Sequence, residues 1–578
     1  MAPQAHTMIE ALEQLASCQE SGYTHMAGNG TTHFESFHEL HCRASRIGLA
    51  LQRHGFTKGD RLAMILSDSQ QFVDSLFGAF LAGAVPVPLS PPSARFGQPE
   101  TYLRHVAPAV AKARPRLLLA DPDLKALLGR DITDFRLGAT LTLDALLQEV
   151  EADYECTPVA IRPEDMALLQ FTSGSTSQPK GVRLNHANLV ANVQATAGPH
   201  GLQCTPEDYC VSWLPLYHDM GLVAKVLMPI YVGMQGGLFM PPGLFLEDPI
   251  SWLRQISRLR GTVTFAPNFA YSLCTARASE KAMQGVDLSC LRVAACAAEP
   301  IRYQVLAAFA HTFAPYGLRP EALVPCYGLA EHTLGAAISP IGTGMTVDRV
   351  EATALTQGVA IPMPEPAARV TIDLTATLQG VAQVVSCGRF LSGHAGKIVD
   401  PNGNPLPERT IGEILLRGPS VMQDYFEDSA ATAATLCDGW LHTGDLGYLA
   451  DDKLYVCGRS KDVLILYGRK YHPQDLEWEA EQVQGIRRGS VVAFGLEEAT
   501  MHRDRVVIAA ETTLPSEHHE QLQTMIRARI HQGLTIMVDQ VLLVPPRTLP
   551  KTSSGKLQRA RTRELFQSGT LAQPSQHA

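Results

Sequence analysis

MALLQFTSGSTSQPKG, residues 166–181, is the stretch on which the reading of this chain turns. MALLQFT (166–172) is a short apolar run, and such a run predicts a buried strand. TSGSTSQPKG (172–181) follows it directly. Its hydroxyl residues and two glycines let successive backbone N–H groups face one point, which makes a nest for an anion. Thr172 opens the loop as a further binding candidate, Ser173, Ser175, Thr176 and Ser177 add donors, and Lys180 adds charge. Glycines such as Gly174 serve where the backbone must approach a phosphate or take a positive φ. The spacing is not the Walker pattern, G-x-x-x-x-G-K-[ST]. Serine, glycine and threonine are also linker residues. A linker, however, gives no reason for the preceding apolar strand, the Pro-Lys-Gly close or the apolar stretch VRLNHANLV that comes next.

Around this loop the chain alternates between helix-like and strand-like segments. FESFHELHCRASRIGLALQRHG (34–55) has apolar residues at helical spacing and ends at Gly55, a plausible C-terminal cap. RLAMILS (61–67) and RPRLLLA (114–120) read as strands, and QQFVDSLFGAFLAGAVPVPL (70–89) reads as helix, glycine stop, strand. Such alternation indicates an α/β architecture. From about 381 to 458 Gly, Pro and β-branched residues become frequent, which predicts a β-rich subdomain closing a large N-terminal domain, residues 1–461. After GRSKD a second unit begins, a small α+β domain over 462–578. Its last residues, LAQPSQHA, are polar and expected to be disordered.

Composition narrows the function. The 578 residues are 45% apolar and 18% charged, an ordinary globular balance, and the net charge is −9. That mild acidity argues against a nucleic-acid binder. The twelve cysteines are scattered without a C-x-x-C pair, so reduced thiols in a cytoplasmic protein are expected and no zinc site can be drawn. The N-terminus lacks the basic start and apolar core of a signal peptide. Residues 221–240 are interrupted by Lys225, Pro229, Gln235 and four glycines, so no transmembrane segment is expected.

TSGSTSQPKG resembles the glycine-rich phosphate loop of the adenylate-forming (ANL) superfamily, and further segments match in that family's order. WLPLYHDMG (213–221) resembles the aromatic–histidine segment beside the substrate pocket, where His218 would help place the acyl carboxylate. RVAACAAEP (292–300) resembles the strand and turn over the adenine, with Ala298 and Glu299 as candidates. Relatives often have Asn-Gly or Gly-Gly where this chain has Cys296-Ala297. CYGLAEHT (326–333) resembles the Tyr-Gly…Glu segment. Tyr327, followed by Gly328, would stack on adenine, Glu331 would bind magnesium, and Thr333 lies nearby. LHTGDLGY (441–448) resembles the segment whose acid holds the ribose hydroxyls, with Asp445 as the candidate. GRSKD (458–462) resembles the hinge, with Arg459 as a ribose or phosphate contact and Asp462 as the pivot. LPKTSSGKLQR (549–559) resembles the C-terminal catalytic segment, with Lys556 as its lysine; the Lys/Arg-rich sequence around it could also be a solvated basic tail.

The resemblance is nearest to the fatty acyl-AMP ligases and covers nearly the whole chain. It rests further on RGTVTFAPNFAYSLCTAR (260–277), VSCGRFLSGHAGKIVDPNG (385–403), GPSVMQDYF (418–426) and HPQDLE (472–477). Residues 346–374 resemble the insertion that in this family restrains the small domain and disfavours CoA as acceptor. The resemblance implies an ANL fold and ATP-dependent conversion of a fatty acid to its acyl-adenylate with Mg2+. Transfer would follow to the phosphopantetheine arm of a separate holo acyl carrier protein, since no carrier segment is visible here. Two alternatives stand beside it: an acyl-CoA synthetase, and a non-catalytic nucleotide-binding regulator on the same fold.

Overall fold

The structure is a computed structural model and describes residues 5–92, 99–125, 139–148, 159–172, 179–364, 380–466, 469–498, 503–552 and 555–571. The large unit is built on two sheets. One has nine strands, with Val263–Ala266 and Val293–Cys296 near its middle and Thr32–Ser36 and Arg389–Phe390 at its edges. The run from Gly22–Met26 through Gly236–Phe239, Tyr209–Ser212, Val263–Ala266, Val293–Cys296 and Leu323–Gly328 is parallel. The second sheet has four parallel strands, Val85–Pro88, Arg61–Ile65, Leu117–Ala120 and Ala139–Leu141. The strands VTFA, VAAC and LLLA are buried at every position. That is what parallel strands covered on both faces require, and it is why they read as continuous apolar runs.

Two sequence expectations change in detail. The helix expected from residue 34 begins at Phe37 and runs to Arg53. Residues Thr32–Ser36 pair instead as an antiparallel edge strand with Gly22–Met26. Ser36 ends that strand and caps the helix: its hydroxyl accepts the Glu39 N–H while the Glu39 carboxylate accepts the Ser36 N–H. The strand Met166–Thr172 belongs to neither large sheet. It forms an antiparallel hairpin with Lys180–Asn185, joined on the far side by Asp424–Tyr425.

Residues 381–459 hold short antiparallel strands, with Trp440–Ala450 paired on one side with Gly412–Arg417 and on the other with Lys453–Arg459. Beyond Asp462 a three-stranded sheet, Ile486–Glu498, Arg503–Thr512 and Gln540–Val544, shares a buried apolar core with the helices Pro473–Glu481 and His519–Leu534. This unit meets the large one through Arg302, whose guanidinium pairs with Asp475 at 2.9 Å and lies over the Trp478 ring. Of the expected insertion, Val347–Glu351 and Ala352–Thr356 are a strand and a short helix, while 365–374 lies outside the described residues. Asp348 anchors the strand by accepting from Arg409 and Tyr448, each at 2.8 Å. Among the described residues no helix is long and apolar enough to cross a membrane, and every cysteine is a free thiol.

The Ser36 capping box ties the edge strand to the first long helix. Ser36→Ala is expected to lower the stability of the large unit by about 1 kcal/mol, read as a lower urea midpoint.

Candidate functional site

Parallel α/β sheets expose their strand ends and following loops on one side, and ligands gather there. Tyr209–Ser212 leads to His218, Val263–Ala266 to Phe269, Val293–Cys296 to Glu299, and Leu323–Gly328 to Glu331. Four strands thus lead to one rim, three of them to the sequence candidates His218, Glu299 and Glu331 and one to Phe269.

At one side of the rim stands the base of the loop. Thr172 and Lys180 face each other across the hairpin, so the backbone is already closed when it enters the loop. Ser173, Gly174, Ser175 and Thr176 lie outside the described residues. The Lys180 ammonium sits 4.5 Å from the ring centre of Tyr425. The Tyr425 hydroxyl donates to Glu331 Oε1 at 2.7 Å. Burial, and then the Glu331 carboxylate, push the Tyr425 phenol well up, so it stays a proton donor. One tyrosine therefore connects the loop's lysine to the carboxylate proposed for a metal.

Glu331 lies in a single tight turn, Ala330–His332, whose backbone is held from three directions. Met422 N–H donates to the Glu331 carbonyl at 2.9 Å, Asn192 Nδ2 donates to the His332 and Gly335 carbonyls, and His332 Nδ1 contacts the Gly335 carbonyl at 2.8 Å. Thr333 follows at φ 66 and ψ −56, with Leu334 N–H closing onto the His332 carbonyl at 2.7 Å. This is a γ-turn of the strained hand, at a β-branched residue. The Thr333 hydroxyl fixes it by donating to the Ser420 carbonyl at 2.7 Å. Gly328 is required for the same segment to pass: a Cβ there would lie 2.0 Å from the Leu334 carbonyl oxygen.

Asp445 stands opposite Arg459 across the long hairpin. It accepts from the Tyr327 hydroxyl at 2.7 Å, and Arg459 Nε is 3.3 Å from its other oxygen. Burial pushes the Asp445 carboxyl up and Arg459 opposes that. Tyr327, read from sequence as a flat surface for a base, here also uses its hydroxyl to orient the acid. Arg459, read as a nucleotide contact, is paired with Asp445.

Lys556 arrives from the small unit. Its turn is closed by Thr552 N–H donating to the Lys556 carbonyl at 2.7 Å and by Lys556 N–H donating to Thr552 Oγ1 at 3.1 Å. The adjoining Gly555 packs on Phe269, whose ring atoms would lie 3.6 Å from a Cβ there. Burial lowers the Lys556 pKa, while the carboxylates Asp219 and Glu299 oppose it. Arg459 and Asp445 also act on this lysine. Glu299, unlike a base contact, accepts the Phe269 N–H at 2.6 Å, and burial raises its carboxyl. Ala298 beside it takes φ 76, an unfavourable value for a residue with a Cβ. His218 caps the helix Asp219–Leu222, and its Nδ1 lies 2.5 Å from Asp219 Oδ1. Burial pushes the Asp219 carboxyl up, but His218 and then Lys556 outweigh it and bring its pKa down to about 2.

Asp462 accepts from Arg559 Nη1 at 3.0 Å, and the same guanidinium holds Glu477 through two bonds at 2.7 and 2.8 Å. Asp219, Phe269, Tyr425 and Arg559 complete the site although sequence reading did not single them out. All four lie inside segments already matched, and only the spatial contacts distinguish them. No cluster of three metal-ligating side chains occurs among the described residues. A single carboxylate such as Glu331 still suits magnesium, a hard ion that commonly keeps one or two carboxylates and takes its other ligands from phosphates and water.

Comparison with known proteins shows the family and the fold. A family model described as AMP-binding enzyme matches residues 16–426. A Caulobacter vibrioides protein provisionally named acyl-CoA synthetase is 34% identical over 89% of this chain and 87% of its own. The medium-chain-fatty-acid–[acyl-carrier-protein] ligase JamA of Moorena producens is 30% identical over 99% of this chain and 97% of its own. A structure solved in a study of fatty acyl-adenylate ligases from E. coli and L. pneumophila superposes with a TM-score of 0.88 at 34% identity, covering 97% of this chain and 98% of that one.

The electrostatics of the lysine can be tested directly. Asp219 is the foremost carboxylate holding the Lys556 pKa up against burial. Asp219→Asn is therefore expected to move that pKa further down. Competitive acylation of Lys556 at graded pH reads the shift, with labelling beginning at lower pH in the variant.

Proposed function

Because this chain belongs to the AMP-binding enzyme family, as a ligase of the fatty acyl-AMP type, we propose that it activates a fatty acid with ATP and passes the acyl group to the phosphopantetheine thiol of a separate acyl carrier protein. The observation that carries the proposal is the turn of Lys556 lying on Phe269, whose N–H donates to Glu299, with Asp219, Glu299 and Asp445 acting on the lysine.

In the proposed reaction a carboxylate oxygen attacks the α-phosphorus of ATP. The new O–P bond forms as the bond to the bridging oxygen breaks, and pyrophosphate leaves. Both reactants are anions, so the site must neutralise them together. His218 places the acid, with Asp219 fixing its ring. Lys556 sits between carboxylate and α-phosphate and stabilises charge as it develops. Lys180, with Thr172 and residues Ser173, Gly174, Ser175 and Thr176 of the loop, grips the departing phosphates. Asp445 accepts from the ribose hydroxyls while Tyr327 and Arg459 hold its carboxylate in place. Glu331, steadied by Tyr425, would hold a magnesium ion, which when bound supplies further neutralisation of the phosphates.

On this reading the choice of acceptor turns on the movement of the small unit. After adenylation Lys556 must withdraw to admit a thiol, and Asp462 is the proposed pivot. The short helix Ala352–Thr356 of the insertion lies against the small unit's strand Arg469–Tyr471. That contact supports a restraint on how far the unit turns, and hence a preference for a carrier protein over CoA.

Lys556→Ala is expected to lose at least about a hundredfold in fatty-acid-dependent ATP–pyrophosphate exchange while still binding ATP. Exchange near the wild-type rate would refute the role given to this lysine. With labelled fatty acid and ATP, label is expected on holo carrier protein and not on CoA; efficient acyl-CoA formation would replace the carrier reading with that of a CoA synthetase.

A further inference from the structure

Lys225 is the one charged side chain among the largest fully buried residues described, at 1% exposure. It lies in a π-helical turn, Val223–Leu227, inside the otherwise α-helical run from Asp219 to Val232. Such turns often mark functional places in a helix. The surroundings are apolar: its ammonium is 4.8 Å from the centre of the Phe239 ring, and the neighbouring Tyr23 hydroxyl is spent on the Val226 carbonyl. The titratable group that acts on it is the Cys210 thiol, and burial lowers its pKa to about 7. No carboxylate pairs with it among the described residues. An ammonium held this way is unfavourable for the core, and an apolar side chain of the same length would serve the fold better.

What Lys225 does hold is the Leu214 carbonyl, at 3.0 Å. Leu214 belongs to the loop from the end of strand Tyr209–Ser212 to His218. The same helix controls that loop at two further points. Gly221, one turn before Lys225, meets the Pro215 carbonyl so closely that a Cβ would lie 1.9 Å from its oxygen. His218 itself caps the helix, and its carbonyl accepts the Leu222 N–H at 2.8 Å. The Trp213 ring, stacked on Phe245 at 4.0 Å, fixes the loop's other end. Gln170 Nε2 donates to the Tyr217 carbonyl at 2.8 Å from outside this helix, and Lys225 is the side-chain donor that the helix itself gives to the loop's backbone.

We propose that Lys225 is a positioning residue for the acid substrate: by tying down the Leu214 carbonyl it sets where His218 stands, and so governs affinity for the carboxylic acid but not for ATP. The inference rests on the functional reading above, in which His218 places the acid.

The test is Lys225→Met, which keeps length and shape and removes the donor. Its thermal midpoint is expected to equal or exceed that of the wild type. In pyrophosphate exchange its KM for fatty acid is expected to rise at least about fivefold, with the KM for ATP within about twofold of wild type. Gly221→Ala, which pushes the same loop from the same helix, is expected to raise the KM for the acid in the same selective way. An unchanged KM for the acid, a parallel rise in both KM values, or a Lys225→Met protein that fails to fold would each overturn the proposal. Absence of exchange in the wild type would instead overturn the functional reading, and this inference with it.

Discussion

The site depends on one meeting of charges across a boundary. Lys556 comes from the small unit, Asp219 and Glu299 from the large one. Removed from bulk water, opposite charges attract more strongly, but each also loses its hydration. The opposing shifts follow from that balance: burial works against Lys556 and Glu299 as ions, while Lys556 and His218 keep Asp219 charged. On the proposed mechanism these carboxylates hold the lysine in waiting until two anionic substrates take their place as partners.

Rigid scaffolding surrounds this exchangeable contact. Four parallel strands end at the rim, Asp445 is oriented by Tyr327 and Arg459, and the turn at Glu331 is fastened by Asn192, Met422 and Ser420. The strained γ-turn at Thr333 persists because so many bonds over-determine it. A carboxylate meant to meet phosphates gains from such fixity, since no reorganisation is then needed as charge moves.

Much of the architecture was legible because buried parallel strands such as VAAC and LLLA read as apolar runs; the strand VTFA was not, since residues 260–277 read as one helix and the helix begins only at Asn268. The edge strand Thr32–Ser36 was not. Phe34 and Phe37 fit helical spacing, and strand pairing with Gly22–Met26 is a non-local fact. The hairpin partner of Met166–Thr172 was hidden for the same reason. At the site, motif matches pointed to Lys556, His218, Glu331 and Asp445, and the structure sets Asp445 among the groups acting on Lys556. They could not show that the Tyr327 hydroxyl serves Asp445, that Tyr425 joins Lys180 to Glu331, or that Glu299 caps Phe269. Each is a contact between segments distant along the chain.

On the proposed mechanism the grip of Arg559 would have a kinetic meaning. It stands three residues after Lys556 and binds Glu477 of its own unit together with Asp462 at the proposed pivot. Any twist at that pivot is therefore felt at the root of the lysine's turn. On the proposed rotation, retreat of the ammonium and resetting of the backbone would be one event, so an adenylate once made would lose the charge needed to recombine with pyrophosphate. Coupling of that kind acts as a ratchet, favouring forward delivery of the acyl group over its return to the free acid.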